Sequence, residues 1–312
     1  MKSSSTLILI GMEPCCLCGS GSWEDIAVES DQGKLLRCAG CGLVALAGGS
    51  RRVELFNLES YSEGSVGAFP DDMDAEFAKW AAFRLEQLLE VRPAIRKIAE
   101  LGSGTGHFLE AAENKGFFIK GFDLADHRRR AKGAPFEAAR DVLARLGRME
   151  WDAVAAFHVL EHVPHPVEAV AAILEGLNGE GVAVVEVPGI LDELGPSAGS
   201  IDRRHLWYYS EATMRKLVER AGGRVLKVSR VGPSSADLES MSRAGAAITR
   251  SWSRLKGALP AGCINGLRTL LRPHRSRLIH VLAEASGTKS DNIRMNTPLN
   301  LCVFFCKEGG RD

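Results

Sequence analysis

The chain has 312 residues, with 39 Lys+Arg against 39 Asp+Glu, 45% hydrophobic and 25% charged side chains, the proportions of a soluble globular protein of about two domains. That balance excludes wholesale disorder and a dedicated nucleic-acid binder, whose domain would be strongly basic. No apolar run reaches the roughly 18–20 residues of a spanning helix, and Leu7–Met12 is too short for a secretory signal, so a cytoplasmic, reducing location is expected.

In that setting paired cysteines point to metal or redox chemistry rather than to disulfides. Residues 1–48 hold Cys15-x-x-Cys18 and Cys38-x-x-Cys41, each pair followed by a glycine, Gly19 or Gly42. Two tight turns of this kind present four thiolates tetrahedrally, and a set with this spacing selects zinc. Cys16 is an alternative to Cys15, which fits the spacing better. No open position or acid–base group accompanies the set, so the zinc is expected to be structural, supplying folding energy to a region with little core.

Residues 49–95 read as a linker loop (Asn57–Asp72) and a capping helix, Met73–Val91. From 96 to 232 short apolar runs alternate with helical patterns, which predicts an α/β fold with a doubly wound parallel sheet. The strands expected are Lys97–Leu101, Phe117–Asp123, Asp152–Phe157, Val182–Val187 and Arg224–Ser229, with a helix at Val167–Leu177 stopped by Asn178-Gly179 and a returning strand at Asn300–Lys307. Val182–Val187 is apolar throughout except for Glu186, as suits a strand covered on both faces.

Glu100-Leu101-Gly102-Ser103-Gly104-Thr105-Gly106 leaves the first of these strands and opens a helix, His107–Asn114. Glycines let the backbone pass close to a ligand, and the helix start offers free N–H groups. Asp123 ends the next strand, where a carboxylate can accept both ribose hydroxyls of a nucleoside. A dinucleotide fingerprint would have glycine where this chain has His107, and Glu100 suits a cationic ligand better than a pyrophosphate.

With these residues in view, the chain resembles the class I S-adenosylmethionine-dependent methyltransferases. Residues 100–106 match their acid-x-Gly-x-Gly-x-Gly signature, and Gly121-Phe122-Asp123 the ribose-binding strand end. Trp151-Asp152-Ala153-Val154 and His158-Val159-Leu160-Glu161-His162-Val163-Pro164 resemble the fourth strand and its continuation. Leu177–Val187, His205–Ser210 and Leu217–Val225 match later segments. The resemblance covers about 70–230 plus the last strand. It implies a Rossmann-like sheet of seven strands, with Glu100, Gly102, Gly104, Gly106, Asp123 and His158 around the cofactor. The cysteine pairs are similar to the zinc-ribbon head of a subset acting on sugars and natural products, where Tyr61 falls in a short tyrosine-bearing segment. The C-terminal domain usual in sugar C-methyltransferases of that subset is not recognisable here.

His158, Glu161 and His162 fall just after the fourth strand, facing the crevice where an open α/β sheet binds ligands. Methyl transfer to a hydroxyl or carbon acid needs a proton removed, and a histidine near neutrality suits that step. The resemblance places His162 as base, with Glu161 as its orienting partner. Three alternatives stand beside this: a helix start with hydrogen-bonded residues, a His158/Glu161/His162 metal cluster as in ubiquinone-type O-methyltransferases, and a non-catalytic cofactor-binding partner protein. His205 and Tyr61 are candidates for the substrate pocket, while Trp207, Tyr208 and Tyr209 read more readily as packing. An acid between Glu137 and Asp141 is expected to meet adenine.

Residues 233–294 read as a basic helical insertion before the last strand, which lies within 295–312. From Ser240 to Ala283 there are eight basic residues, Arg243 to Arg277, and no acidic one. A solvated amphipathic cap over the active site is expected, with an anionic substrate or a membrane surface as the alternative partners. The zero net charge is a cancellation between this segment and an acidic remainder.

Overall fold

The computed structural model describes residues 13–26, 34–47, 74–147, 150–190, 204–231 and 300–309. The chain divides into two compact units, Met1–Arg230 with Asn300–Asp312, and Val231–Leu299. Apart from Val231 the second lies outside the described residues, as do Tyr61, the loop 57–72 and the basic insertion 233–294.

The first unit opens with three short antiparallel strands, β1 (Trp23–Ile26), β2 (Leu35–Cys38) and β3 (Val44–Leu46). Helix α1 (Asp74–Val91) follows. Then come β4 (Lys97–Leu101), α2 (His107–Asn114), β5 (Phe118–Asp123), β6 (Phe136–Ala138), the short helix α3 (Val142–Leu146) and β7 (Trp151–Phe157). A single 3-10 turn (Leu160–His162) leads to α4 (Pro166–Gly176) and the long β8 (Leu177–Pro188). The last elements are β9 (Trp207–Tyr208), α5 (Glu211–Arg220), β10 (Gly223–Val231) and β11 (Asn300–Lys307).

Seven strands form one sheet in the order β10-β11-β8-β7-β4-β5-β6. β4 pairs in parallel with both β5 and β7, β7 with β8, and β5 with β6, whereas β11 runs antiparallel to β8. The cause is visible in the strands: Ala153–Phe157 and Val182–Pro188 are buried without interruption, so helices must cover both faces. Helix starts follow local chemistry. Pro166 occupies the first turn of α4, where its missing N–H costs nothing. Ser210 caps α5 in a capping box, accepting from the Thr213 N–H while Thr213 Oγ1 accepts from the Ser210 N–H.

The chain winds from β4 outward to β6, returns through β7 on the other side of β4, and continues to β8. The β4–β7 boundary is therefore the point where strand order reverses, and a crevice opens beyond its carboxyl ends.

The three N-terminal strands do not close on themselves. Their sheet runs β1-β2-β3-β9, with Val44 opposite Tyr208 and Ala45 opposite Trp207. The Leu46 N–H donates to the Leu206 carbonyl at 3.0 Å. Leu17, Trp23, Leu36 and Leu43 share a continuous core with Leu160, Tyr209, Met214 and Leu217, and Arg220 Nη1 donates to the Leu17 carbonyl at 3.0 Å. The cysteine-bearing head and the larger sheet are thus packed as one body.

Candidate active site and cysteine cluster

In the head, both turns use glycine where the chain goes left-handed, Gly19 at φ 73° and Gly42 at φ 81°. The Gly19 and Gly42 N–H groups reach back to the Cys15 and Cys38 carbonyls at 2.7 and 2.8 Å, curling each turn around a pair of sulfurs. Cys15 Sγ lies 3.5 Å from Cys41 Sγ and Cys18 Sγ 3.4 Å from Cys38 Sγ. All four sulfurs fall within 4.8 Å of one another, and Cys16 is outside the group. Burial raises the Cys38 and Cys41 thiols. Four thiols converging at these distances are a donor set that suits a zinc ion.

At the crevice, Glu100 is the fourth residue of β4 and is fully enclosed, 4% exposed. Its Oε2 has no hydrogen-bond partner. Burial raises Glu100 well above the usual carboxylate range; Arg84 opposes this and Asp123 adds to it. Asp123 ends β5, with Oδ2 accepting from the Gly104 N–H at 3.0 Å and Oδ1 from the Leu124 N–H at 2.7 Å. Burial raises this carboxyl too, against the pull of those two amides. Two carboxyls flanking one glycine turn make a site suited to a cation.

Gly102 stands at φ 75°, and a Cβ there would come within 2.4 Å of Val159 Cγ2. The turns after β4 and β7 therefore touch through this position. Gly102→Ala is expected to lose about 1–3 kcal/mol from strain and collision together, read as a lowered denaturation midpoint. Cofactor affinity should fall with it, since the turn that carries Ser103 and Gly104 must move. Gly104 and Gly106 complete the turn at φ 48° and 88°. His107 begins α2 and bridges outward, with Nδ1 2.7 Å from Thr105 Oγ1 and Nε2 2.8 Å from Asp74 Oδ1. It ties α1 to the glycine turn.

After β7 the chain places His158 at φ 57°, a conformation rare for a residue with Cβ. Its N–H donates to the Glu186 carbonyl at 2.8 Å. The ring lies between two buried glutamates, Nδ1 3.3 Å from Glu161 Oε1 and Nε2 3.3 Å from Glu186 Oε1. Burial works against its charge, but the two glutamates prevail and raise His158 to about 9. At neutral pH it holds a proton and is no general base. Glu186 in turn receives two hydrogen bonds from Arg84, at 2.8 and 2.7 Å, and one from Asn300 Nδ2 at 2.7 Å. Burial opposes ionisation of Glu186 as well, and Arg84 followed by His158 hold it far below the usual range.

Glu161 is 0% exposed. Burial disfavours its charge, yet the His158 hydrogen bond and the charges of His158, His162 and His205 lower it overall. His162 Nδ1 sits 2.9 Å from the Arg204 carbonyl. A carbonyl only accepts, so Nδ1 carries a proton, and Nε2 is the nitrogen on the Glu161 side, 3.9 Å from Oε1. The His205 ring meets His162 edge-on at 4.9 Å between centroids. The cluster brought together is therefore Glu161, His162 and His205, while His158, expected beside them as a possible ligand, is engaged by Glu186 as well.

Tyr208 and Tyr209 are buried, and Tyr209 Oη donates to the Leu160 carbonyl at 3.4 Å, so both are packing residues. Glu137 is held by Lys120 and Arg145, each at 2.7 Å, and Asp141 by Arg145 at 2.9 Å. Arg84 and Asn300 carry no local signal of this role in the sequence; the lone Glu186 in an apolar strand is the feature that points to a buried partner.

The sheet order, the switch point and the acid-flanked glycine turn define the class I methyltransferase fold. The family profile described as a methyltransferase domain matches residues 73–228, half of the chain, and the chain belongs to that family. No curated protein matches. Among solved structures, one similar to this chain is a SAM dependent methyltransferase from Archaeoglobus fulgidus, 16% identical, TM-score 0.46, covering 74% of this chain and 94% of that one. Another is an amino pentose methyltransferase from Micromonospora echinaspora, involved in calicheamicin biosynthesis, 17% identical, TM-score 0.40, covering 57% and 91%. A third is the 1,6-didemethyltoxoflavin-N1-methyltransferase of Burkholderia thailandensis, 14% identical, TM-score 0.44, covering 67% and 92%.

Proposed function

We propose that this chain is an S-adenosylmethionine-dependent methyltransferase that acts on the oxygen or carbon of a small molecule, with His162 as general base. The observation that carries the donor assignment is the buried Glu100 Oε2, unpartnered beside Asp123 at the switch point. Glu100, Gly102, Gly104, Gly106 and Asp123 would hold the cofactor, with Asp123 meeting the ribose. His158, its ring nitrogens spent on glutamates, would border the cofactor as the shaped end of β7. When bound, S-adenosylmethionine supplies an electrophilic methyl group.

The protein's own contribution is orientation and proton removal. The Arg204 carbonyl fixes the His162 tautomer so that Nε2 can accept the proton of the attacking hydroxyl or carbon acid. Glu161, anionic and 0% exposed, stabilises the imidazolium that results. A zinc ion in the Cys15, Cys18, Cys38 and Cys41 set would be structural, in a head of residues 1–48. In this reading 49–95 is the linker and capping helix of the catalytic domain, 96–232 with 295–312, and the basic insertion 233–294 is a solvated amphipathic segment, with an anionic acceptor such as a nucleotide sugar or a membrane surface as its alternative partner. Thiolates held for zinc suit a reducing, cytoplasmic setting, and among the described residues no helix is long and apolar enough to cross a membrane.

Calorimetry with S-adenosylmethionine and with NAD tests the donor; tight NAD binding without S-adenosylmethionine binding would sink it. For the base, His162→Gln is expected to keep cofactor affinity and to lose about 10²–10⁴-fold in turnover. Release of S-adenosylhomocysteine over a panel of sugar nucleotides and natural-product intermediates would measure this. Full turnover in the variant refutes the assignment.

A further inference from the structure

The cluster after β7 has a property that proton transfer alone does not use. Glu161 presents two buried oxygens, and only one is engaged: Oε1 lies 3.3 Å from His158 Nδ1, while Oε2 has no hydrogen-bond partner. Around this carboxylate the ligand atoms of Glu161, His162 and His205 all lie within 4.8 Å of one another. Tetrahedral ligands about 2.1 Å from a zinc ion are ~3.4 Å apart, so adjustments on the order of 1 Å in two side chains would close the set. The second layer is already built. His162 has its Nδ1 on the Arg204 carbonyl, the arrangement that orients a ligating imidazole through its other nitrogen. The Leu206 N–H donates to the Glu161 carbonyl at 2.7 Å, fixing the segment that carries His205 against the carboxylate's own backbone. His158 is not in the set: each of its ring nitrogens lies 3.3 Å from a glutamate oxygen, Nδ1 from Glu161 and Nε2 from Glu186.

We propose that Glu161, His162 and His205 form a second metal site, separate from the four cysteines, which takes a divalent first-row transition ion such as Zn²⁺ and reversibly silences the enzyme. Two imidazoles and one carboxylate, with no thiolate, suit zinc, cobalt(II) or iron(II) and leave positions for water. The silencing rests on the reading of His162 as base. The ion takes the Nε2 lone pair that would otherwise accept the acceptor's proton, and a protonated ring releases its proton on binding. The orphaned carboxylate oxygen gains a partner in the same event.

The test starts from full-length protein carrying one equivalent of Zn²⁺ and adds Co²⁺. The wild type is expected to take up one further ion, with visible d–d bands and no sulfur-to-metal charge-transfer band. Glu161→Gln and His205→Gln should each weaken that uptake at least tenfold while retaining the first zinc and the near-ultraviolet dichroism of the folded chain. In the wild type, S-adenosylhomocysteine release should fall at least tenfold as the second ion loads and return when a chelator removes it. Uptake of a single ion only, or equal uptake by both variants, overturns the site. Turnover that rises with the second ion overturns the silencing. A fully active His162→Gln variant would instead remove the base assignment and leave the ion titration to stand on its own.

Discussion

Replacing Cys38 by serine is expected to abolish metal binding in the head and to lower the melting temperature by more than ~10 °C, equivalent to roughly 5 kcal/mol or more. The reason is the meagre structure that the sulfurs hold. β1, β2 and β3 are strands of four, four and three residues, too short to persist on backbone pairing alone. The apolar side chains of the head, Leu17, Trp23, Leu36 and Leu43, continue into the main core through Leu160 and Tyr209, so loss of the head strips cover from the larger sheet as well. Cys16→Ser is the contrasting change. Cys16 lies outside the sulfur group, and its replacement should retain the metal and cost about 1 kcal/mol or less. Metal content by atomic emission and scanning calorimetry check both. Equal metal loss in the two variants would show that the cluster is not the four-cysteine set.

Arg84→Met is expected to destabilise the fold by about 3–5 kcal/mol, the cost of leaving a buried charge without its partner. Glu186 is 1% exposed and lies in a strand otherwise buried in apolar surroundings. Both of its oxygens accept from Arg84, and the guanidinium lies 4.4 Å over the Phe157 ring. Methionine keeps much of the volume and removes the charge. A double variant, Arg84→Met with Glu186→Met, should recover most of the loss, because it is the stranded carboxylate rather than the missing attraction that costs most. Urea unfolding of the wild type and the two variants measures this. The same network sets an alkaline limit. His158 is raised to about 9 from an ordinary value near 6.5, so its stabilisation is fully present below pH ~6.5. It is lost as pH climbs through 9, at most ~3 kcal/mol in all. His158→Asn, which tolerates the left-handed backbone, should flatten that slope in melting temperature between pH 7 and 10.

What could be read in advance was what local pattern encodes. β4 and β11 fall where the sequence placed them, at Lys97–Leu101 and Asn300–Lys307, and α2 begins at His107. β5 begins one residue later than expected, at Phe118, and β7 one earlier, at Trp151. The expected helix at 167–177 ends at Gly176, and β8 begins at once with Leu177, running through Asn178-Gly179. The Asn-Gly pair falls in a break of the ladder: Trp151 pairs with Leu177 but Ala153 with Val182, so residues 178–181 are accommodated as an irregularity within the strand. The glycine turn, its two acids and the cysteine pairs were legible because each is a contiguous motif with a mechanism. Partners distant in sequence were not. Arg84 meets Glu186 across 102 residues, and β9 is two residues long with no periodicity to announce it. His205 is a pocket candidate in the sequence, but its place beside Glu161 depends on the backbone bond between Leu206 and Glu161. The left-handed His158 likewise has no signature in composition, since nothing local favours it.

The pairing of β3 with β9 also bears on how this protein could have been assembled and how it can be cut. A chain shortened to begin at residue 49 would expose the Leu206 carbonyl and the edge of Trp207–Tyr208, an unpaired ribbon of apolar residues open to adhesion between molecules. On its other side the same ribbon is stitched to the end of β8, where the Ile190 N–H donates to the Tyr209 carbonyl at 2.9 Å. Loss of the head would therefore reach the ribbon and the histidines beside it and, through the shared core, the larger sheet as well. The N-terminal head supports the segment that carries His205 rather than hanging from it, and swapping it between relatives would demand that residues 204–210 travel with it.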